Sequence, residues 1–148
     1  MNIILTVNSL KTGGAENQAF LIKEYLSKDF NIFLLVLHTK KNKKNLLYKL
    51  LTYTSYLYKI VKLRVELDNV SHILSIMPQS HYASIILKIL FKARLHISIR
   101  NDLRYYKSLL EDINSFKFNI LNFFADSFIV QSDTSARLLK WKKVQKKI

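Results

Sequence analysis

Residues 2–8 read NIILTVN, residues 9–14 SLKTGG, and residues 15–27 AENQAFLIKEYLS. Reading them in that order, as a strand, a glycine turn and a helix, decides the fold. Ile3, Ile4, Leu5 and Val7 form the short apolar run of a strand buried on both faces. Ala15, Ala19, Ile22 and Leu26 then recur at helical spacing, with Phe20 and Tyr25 beside them. Gly13 and Gly14, the only two glycines in 148 residues, both fall in the connection. Glycine belongs where the backbone takes positive φ or where a Cβ would collide with a neighbour. A strand-to-helix turn of this kind sits at the carboxyl edge of a parallel sheet and turns the free amides at the helix start outward, which favours an anion such as phosphate. The pair equally suits an ordinary tight connection. Neither the dinucleotide pattern G-x-G-x-x-G nor a P-loop G-K-[ST] is present.

Working outward, the same alternation repeats. Asn31 to His38 (NIFLLVLH), Val70 to Met77, Leu95 to Ile99 and Ser127 to Val130 read as further strands. Helical patterns run from about Leu46 to Glu66, from Tyr82 to Phe91, from about Leu103 to Phe124 with a break near Ser115, and from Ser132 or Asp133 to about Trp141. Pro78, the single proline, is a natural stop for the third strand because it has no amide to donate. Strands alternating with helices predict an α/β fold: one Rossmann-like domain with a parallel sheet of five or more strands and helices on both faces. Ligands of such sheets bind at the carboxyl ends of the strands. That rule gathers Gly13, Gly14, the loop from Pro78 to His81, Arg100 to Asp102 and Ser132 at one rim.

Composition narrows the chemistry. Hydrophobic residues make up 49% of the chain, enough for a sizeable core, and there is no cysteine. Disulfides, thiolate catalysis and cysteine-based zinc sites are excluded. His38, His72, His81 and His96 lack metal-binding spacing, so no metal is expected. Glu111 and Asp112 are adjacent on a helix and read as surface residues rather than a catalytic carboxylate pair, and no G-x-S-x-G elbow exists. The N-terminus has no basic segment ahead of a long apolar core, and the longest uncharged run, Asn69 to Leu87, is too polar to span a bilayer. A cytoplasmic protein, peripheral on the inner face of a membrane at most, is the expectation.

The net charge of +14 is unevenly placed. Lys40, Lys41, Lys43, Lys44, Lys49, Lys59, Lys62 and Arg64 form a stretch with no acid, and Arg137 to Ile148 adds six basic residues, again with none. These two segments carry the whole excess. Anionic lipid, nucleic acid and a solvated face are the readings of such runs. On the 46–66 helix, Leu46, Leu47, Leu50, Leu51, Tyr53, Leu57, Ile60 and Val61 outline an apolar face beside a polar stripe of Thr52, Ser55, Lys59 and Lys62. It either packs on the sheet or lies on an anionic membrane through those lysines. Nucleic acid is disfavoured, since no recognition motif accompanies the charge.

Four segments together resemble a known family: GGAE (Gly13 to Glu16), ILSIMPQSHYAS (Ile73 to Ser84), ISIRND (Ile97 to Asp102) and ADSFIVQS (Ala125 to Ser132). In this order and spacing, over nearly the whole chain, they look like the N-terminal half of retaining nucleotide-sugar glycosyltransferases of the two-domain GT-B architecture, the group 1 or family 4-like enzymes. The resemblance implies transfer of a sugar from a nucleotide-sugar substrate, with no other cofactor, to a glycan or lipid-linked acceptor, as in surface polysaccharide synthesis. It implies that Gly13 and Gly14 approach the donor diphosphate. Arg100 would face the reaction centre, where a cation suits charge developing on the leaving diphosphate; an ion pair with Asp102 is its plainer reading. Glu16, Gln79, His81, Asn101, Asp102 and Ser132 are the acceptor-side candidates. The sequence closes at WKKVQKKI, about where relatives cross between domains. The expectation is therefore an acceptor-side half, inactive without a second domain or partner: a truncated gene product, a split enzyme completed by a C-terminal donor-binding domain on a separate chain, or a degenerate remnant. The alternative is a non-catalytic basic module for anionic lipid or nucleic acid.

Overall fold

The computed structural model describes residues 1–8, 14–37, 46–99 and 116–130. Along them run β1 (Asn2–Val7), α1 (Gly14–Leu26), β2 (Asn31–Val36), α2 (Leu46–Glu66), β3 (Val70–Ser75), α3 (Pro78–Phe91), β4 (Arg94–Ile99), α4 (Phe116–Phe124) and β5 (Ser127–Val130). The five strands form one sheet in the order β2-β1-β3-β4-β5, every neighbouring pair parallel. This is the α/β, Rossmann-like arrangement that the alternating pattern predicts.

Both faces of the sheet are covered, which explains why β1 is buried from Ile3 to Val7. On one face Ile4, Leu35, Ile73, Leu95, Ile97 and Phe128 pack with Ile60 of α2, Ala83 and Leu87 of α3, and Leu121 and Phe124 of α4. On the other, Leu5, Val7, Leu34 and Leu74 pack with Ala19 and Ile22 of α1. Alternate strand residues thus feed two cores. The chain leaves β1 towards β2 and returns past it to β3, so α1 and α3 start from adjacent strands on opposite faces. That is the switch point of a doubly wound sheet.

Two local expectations need correcting. The third strand does stop before Pro78, but α3 starts at Pro78 rather than at Tyr82. Proline fits the first helical position because its missing amide would have no intrahelical partner there. On α2 the side facing the sheet is set by Tyr56, Ile60 and Leu63, while Leu57 and Val61 are exposed. A helix apolar on most sides gives no period by which to choose its inner face.

Candidate functional site

The carboxyl edge of β1 and β3 holds a cluster of buried polar side chains inside an otherwise apolar layer. Thr6 and Ser75 are paired neighbours on β1 and β3, and Ser80, His81 and Ser84 meet them from α3. Thr6, Ser75, Ser80 and Ser84 are fully buried, and His81 retains 5% exposure. Buried hydroxyls must be satisfied, and each of these has at least one partner.

Ser84 Oγ donates to the Ser80 carbonyl at 2.8 Å, so the 2.7 Å contact between Thr6 and Ser84 hydroxyls is donated by Thr6. Ser80 Oγ lies 2.7 Å from the Met77 carbonyl and 3.4 Å from that of Thr6; neither can donate, so the Ser80 proton goes to Met77. Ser80 Oγ in turn accepts from the Met77 amide, closing the first turn of α3. At 2.9 Å from Ser80 Oγ, the Ser75 hydroxyl therefore donates to it. Having spent its proton, Ser75 accepts from His81 Nδ1–H at 2.7 Å. With the Ser80 proton assigned to the Met77 carbonyl, the bonds run from His81 Nδ1–H to Ser75 to Ser80, an assignment that leaves a lone pair at His81 Nε2. This edge of the ring has no partner among the described residues, and the side chain as a whole keeps 5% exposure.

Burial lowers the His81 pKa from 6.5 to about 4. At neutral pH the ring is uncharged, a hydrogen-bond acceptor rather than a cation. It suits a hydroxyl better than a phosphate. Ser75 touches His81 but is no nucleophile, because it has no exposure to a substrate and its proton already lies on Ser80.

Gly14, on the opposite face, is the first residue of α1 and is exposed. Its φ is not positive, and a Cβ built on it would meet nothing within 4 Å. Among the described residues no atom demands glycine there, contrary to the reason the sequence supplies. Glu16 follows in the first turn of α1, half-buried. Gln79 lies in the first turn of α3 and Lys49 on α2, their side chains outside the description. Ile99 ends β4 at the same rim. Gly13, Arg100, Asn101, Asp102 and Ser132, with Lys40, Lys41, Lys43 and Lys44, lie outside the described residues. Of the other lysines, Lys59 donates to the Val36 carbonyl at 2.9 Å, and Lys62 stands exposed 3.6 Å from Glu66.

Sequence reasoning picked His81 and missed the four hydroxyls that orient it. The available signals were Thr6 and Ser75 interrupting apolar strands at the same depth, and Ser80 and Ser84 spaced by one turn.

A second polar row crosses the α1 side of the sheet at mid-strand. His72 Nδ1 lies 2.8 Å from His96 Nε2, and His96 Nδ1 lies 2.6 Å from Ser127 Oγ, with the two imidazoles stacked. Burial and then His72 lower the His96 pKa, against an opposing pull from Asp126; Arg94 and Lys88 act in the same direction as His72. Among the described residues no group of three or more His, Cys, Asp or Glu could hold a metal ion. No helix there is long and apolar enough to cross a membrane.

Fold and site together define a doubly wound α/β domain with a buried hydroxyl–imidazole cluster at its switch point. Comparison with protein-family models gives no match, and comparison with curated proteins gives none either.

Proposed function

We propose that this chain is the acceptor-side domain of a retaining, GT-B-type glycosyltransferase. It holds a glycan or lipid-linked saccharide at the carboxyl edge of β1 and β3, while a donor-binding domain outside these residues supplies the nucleotide sugar. The observation that carries the reading is His81: an uncharged imidazole whose accepting Nε2 is aimed by Ser75 and Ser80 at the switch point of the sheet. A polyhydroxylated ligand offers the O–H donor that such a group needs. The starts of α1 and α3 add their positive dipole ends at the same edge, favourable to a diphosphate. The open space at Gly14 allows close approach. The four-segment resemblance supports the same assignment, with Arg100 as the cation facing the leaving group.

Titration calorimetry with a water-soluble, short-chain polyprenyl diphosphate saccharide tests this. Saturable binding is expected, weakened about tenfold by His81→Phe, the size of one lost hydrogen bond in a desolvated site. Absence of saccharide binding, with oligonucleotide binding that falls steeply as salt is raised, would instead make the chain a basic binding module.

A further inference from the structure

An apolar groove runs between α2 and α3. Arg64 of α2 lies over the Phe91 ring of α3, 5.3 Å from its centroid, and so marks the side of α2 that is turned to its neighbour. Leu57, Val61 and Val65 share that side, since they flank Arg64 at helical spacing. On α3, Lys88 pairs with Asp126 beside α4. Ile86 and Leu90, each two residues from Lys88 and about 200° round the helix, therefore lie on the α2 side. Tyr82 and Ile89 stand next to them as an outward ridge. These seven residues are each between 41% and 79% exposed. With large apolar side chains covering roughly 150–250 Å² each, they leave on the order of 700 Å² of apolar surface in one piece. Contiguous exposed apolar surface of this extent marks a place of attachment.

Area and charge identify the occupant. A specific interface of standard size takes about 800 Å² from each partner, and the groove with its ridge comes close to that by itself. Among the described residues every basic side chain of α2 and α3 is engaged within the chain. Lys59 turns away to the Val36 carbonyl, Lys62 stands beside Glu66, Arg64 covers Phe91 and Lys88 bonds Asp126. An anionic surface therefore finds no free cation among them, and a second copy meets no unpaired like charge there. A two-fold axis beside α3 seats the ridge of each copy in the groove of the other, so that apolar surface meets apolar surface by symmetry. α1, on the opposite face of the sheet, makes the contrast. It also exposes Phe20, Leu21 and Tyr25, but Lys23 and Glu24 interrupt them and Lys28 lies over the Tyr25 ring.

We infer that the chain pairs with a second copy of itself through this groove, α2 and α3 of one protomer against α2 and α3 of its partner. The inference stands apart from the glycosyltransferase reading, because no saccharide enters its test. Sedimentation velocity of the whole chain over a dilution series supplies the readout, with monomer converting to dimer as concentration rises. The double substitution Ile86→Asp with Ile89→Asp should raise the dimer Kd about tenfold or more, since it sets carboxylates into an apolar contact. Leu21→Asp on α1 should leave it unchanged. These positions are exposed, and circular dichroism of each variant verifies its fold. Added salt should not weaken the dimer, because the contact has no ion pairs to screen. A second probe is independent of the aspartate variants, because the chain has no cysteine. Ile89→Cys should be joined into a dimer by a short bis-maleimide, and Leu21→Cys should not. A monomer mass at every concentration up to about 0.1 mM would overturn the inference. So would equal dissociation by Leu21→Asp, cross-linking of Leu21→Cys in place of Ile89→Cys, or a monomer that uses Ile86 and Ile89 to bind phosphatidylglycerol vesicles instead.

Discussion

Among the described residues histidine stands at two places, buried at the carboxyl rim and half-buried within the sheet, and the two differ in what they bond. His81 stands at the carboxyl rim, one ring nitrogen bonded to Ser75 and the other without a partner among the described residues. His72 and His96 stand at mid-strand and satisfy each other, with Ser127 completing the row across three neighbouring strands. His96 spends both ring nitrogens within the row and ties β3, β4 and β5 together, whereas His72 and His81 each keep one ring nitrogen without a partner among the described residues; what singles out His81 is its place at the carboxyl rim. Position agrees with chemistry, since ligands of doubly wound sheets bind outside the carboxyl ends.

The largest expected effect concerns acid. His81 stays unprotonated in the fold down to about pH 4, while the unfolded chain takes up its proton near 6.5. Between those values the unfolded state binds more protons, so stability rises with pH across the window and is lost as pH falls through it. The loss is on the order of 3 kcal/mol. Denaturant unfolding at stepped pH should show the His81→Gln variant losing less stability on acidification than wild type. His96 is shifted in the same direction but only half-buried, so His96→Gln should flatten the same curve less. The reverse ranking would break the comparison.

Next in size is Ser75→Ala. It leaves His81 Nδ1–H without its acceptor in a buried site and removes the donor to Ser80, which costs about 1–3 kcal/mol at neutral pH. Ser127→Ala, on the half-buried row, should cost less than about 1 kcal/mol, because water can replace the hydroxyl. Chemical denaturation of the two variants side by side reads this difference.

The smallest effect is at Gly14. Since φ there is not positive and a Cβ has room, Gly14→Ala should change thermal stability by no more than about 0.5–1 kcal/mol, towards greater stability. If a diphosphate approaches this helix start, the added methyl should weaken saccharide binding while the fold is untouched. A large loss of stability would instead show that the turn needs glycine for its own packing.

Much of the fold was legible in the residues. Doubly buried strands announce themselves as short apolar runs, and NIILTV, NIFLLV and SHILS needed no tertiary information. The inner face of α2 was not legible, because Leu57 and Val61 are as apolar as Ile60 and only the sheet beneath decides which is buried. The start of α3 was misplaced because proline ends a strand and begins a helix with equal ease. Of the site, His81 was visible as a residue but its state was not. The lowered pKa arises from burial and the ring's orientation from its bond to Ser75, at the end of a neighbouring strand, and a hydroxyl in an apolar run resembles any tolerated small residue until its partner is seen. The membrane contact read from the lysines at 40–44 falls on residues outside the described ones.

The measurement that bears most directly on the account is a long-range proton–nitrogen correlation of the histidine side chains, recorded across pH and then during titration with the short-chain polyprenyl diphosphate saccharide. The account predicts His81 protonated at Nδ1 alone, neutral well below the ordinary 6.5, with an Nε2 resonance that shifts saturably as the saccharide binds, while His72 and His96 stay in place. A His81 ring protonated at Nε2, titrating near 6.5, or unmoved by saturating saccharide would contradict it.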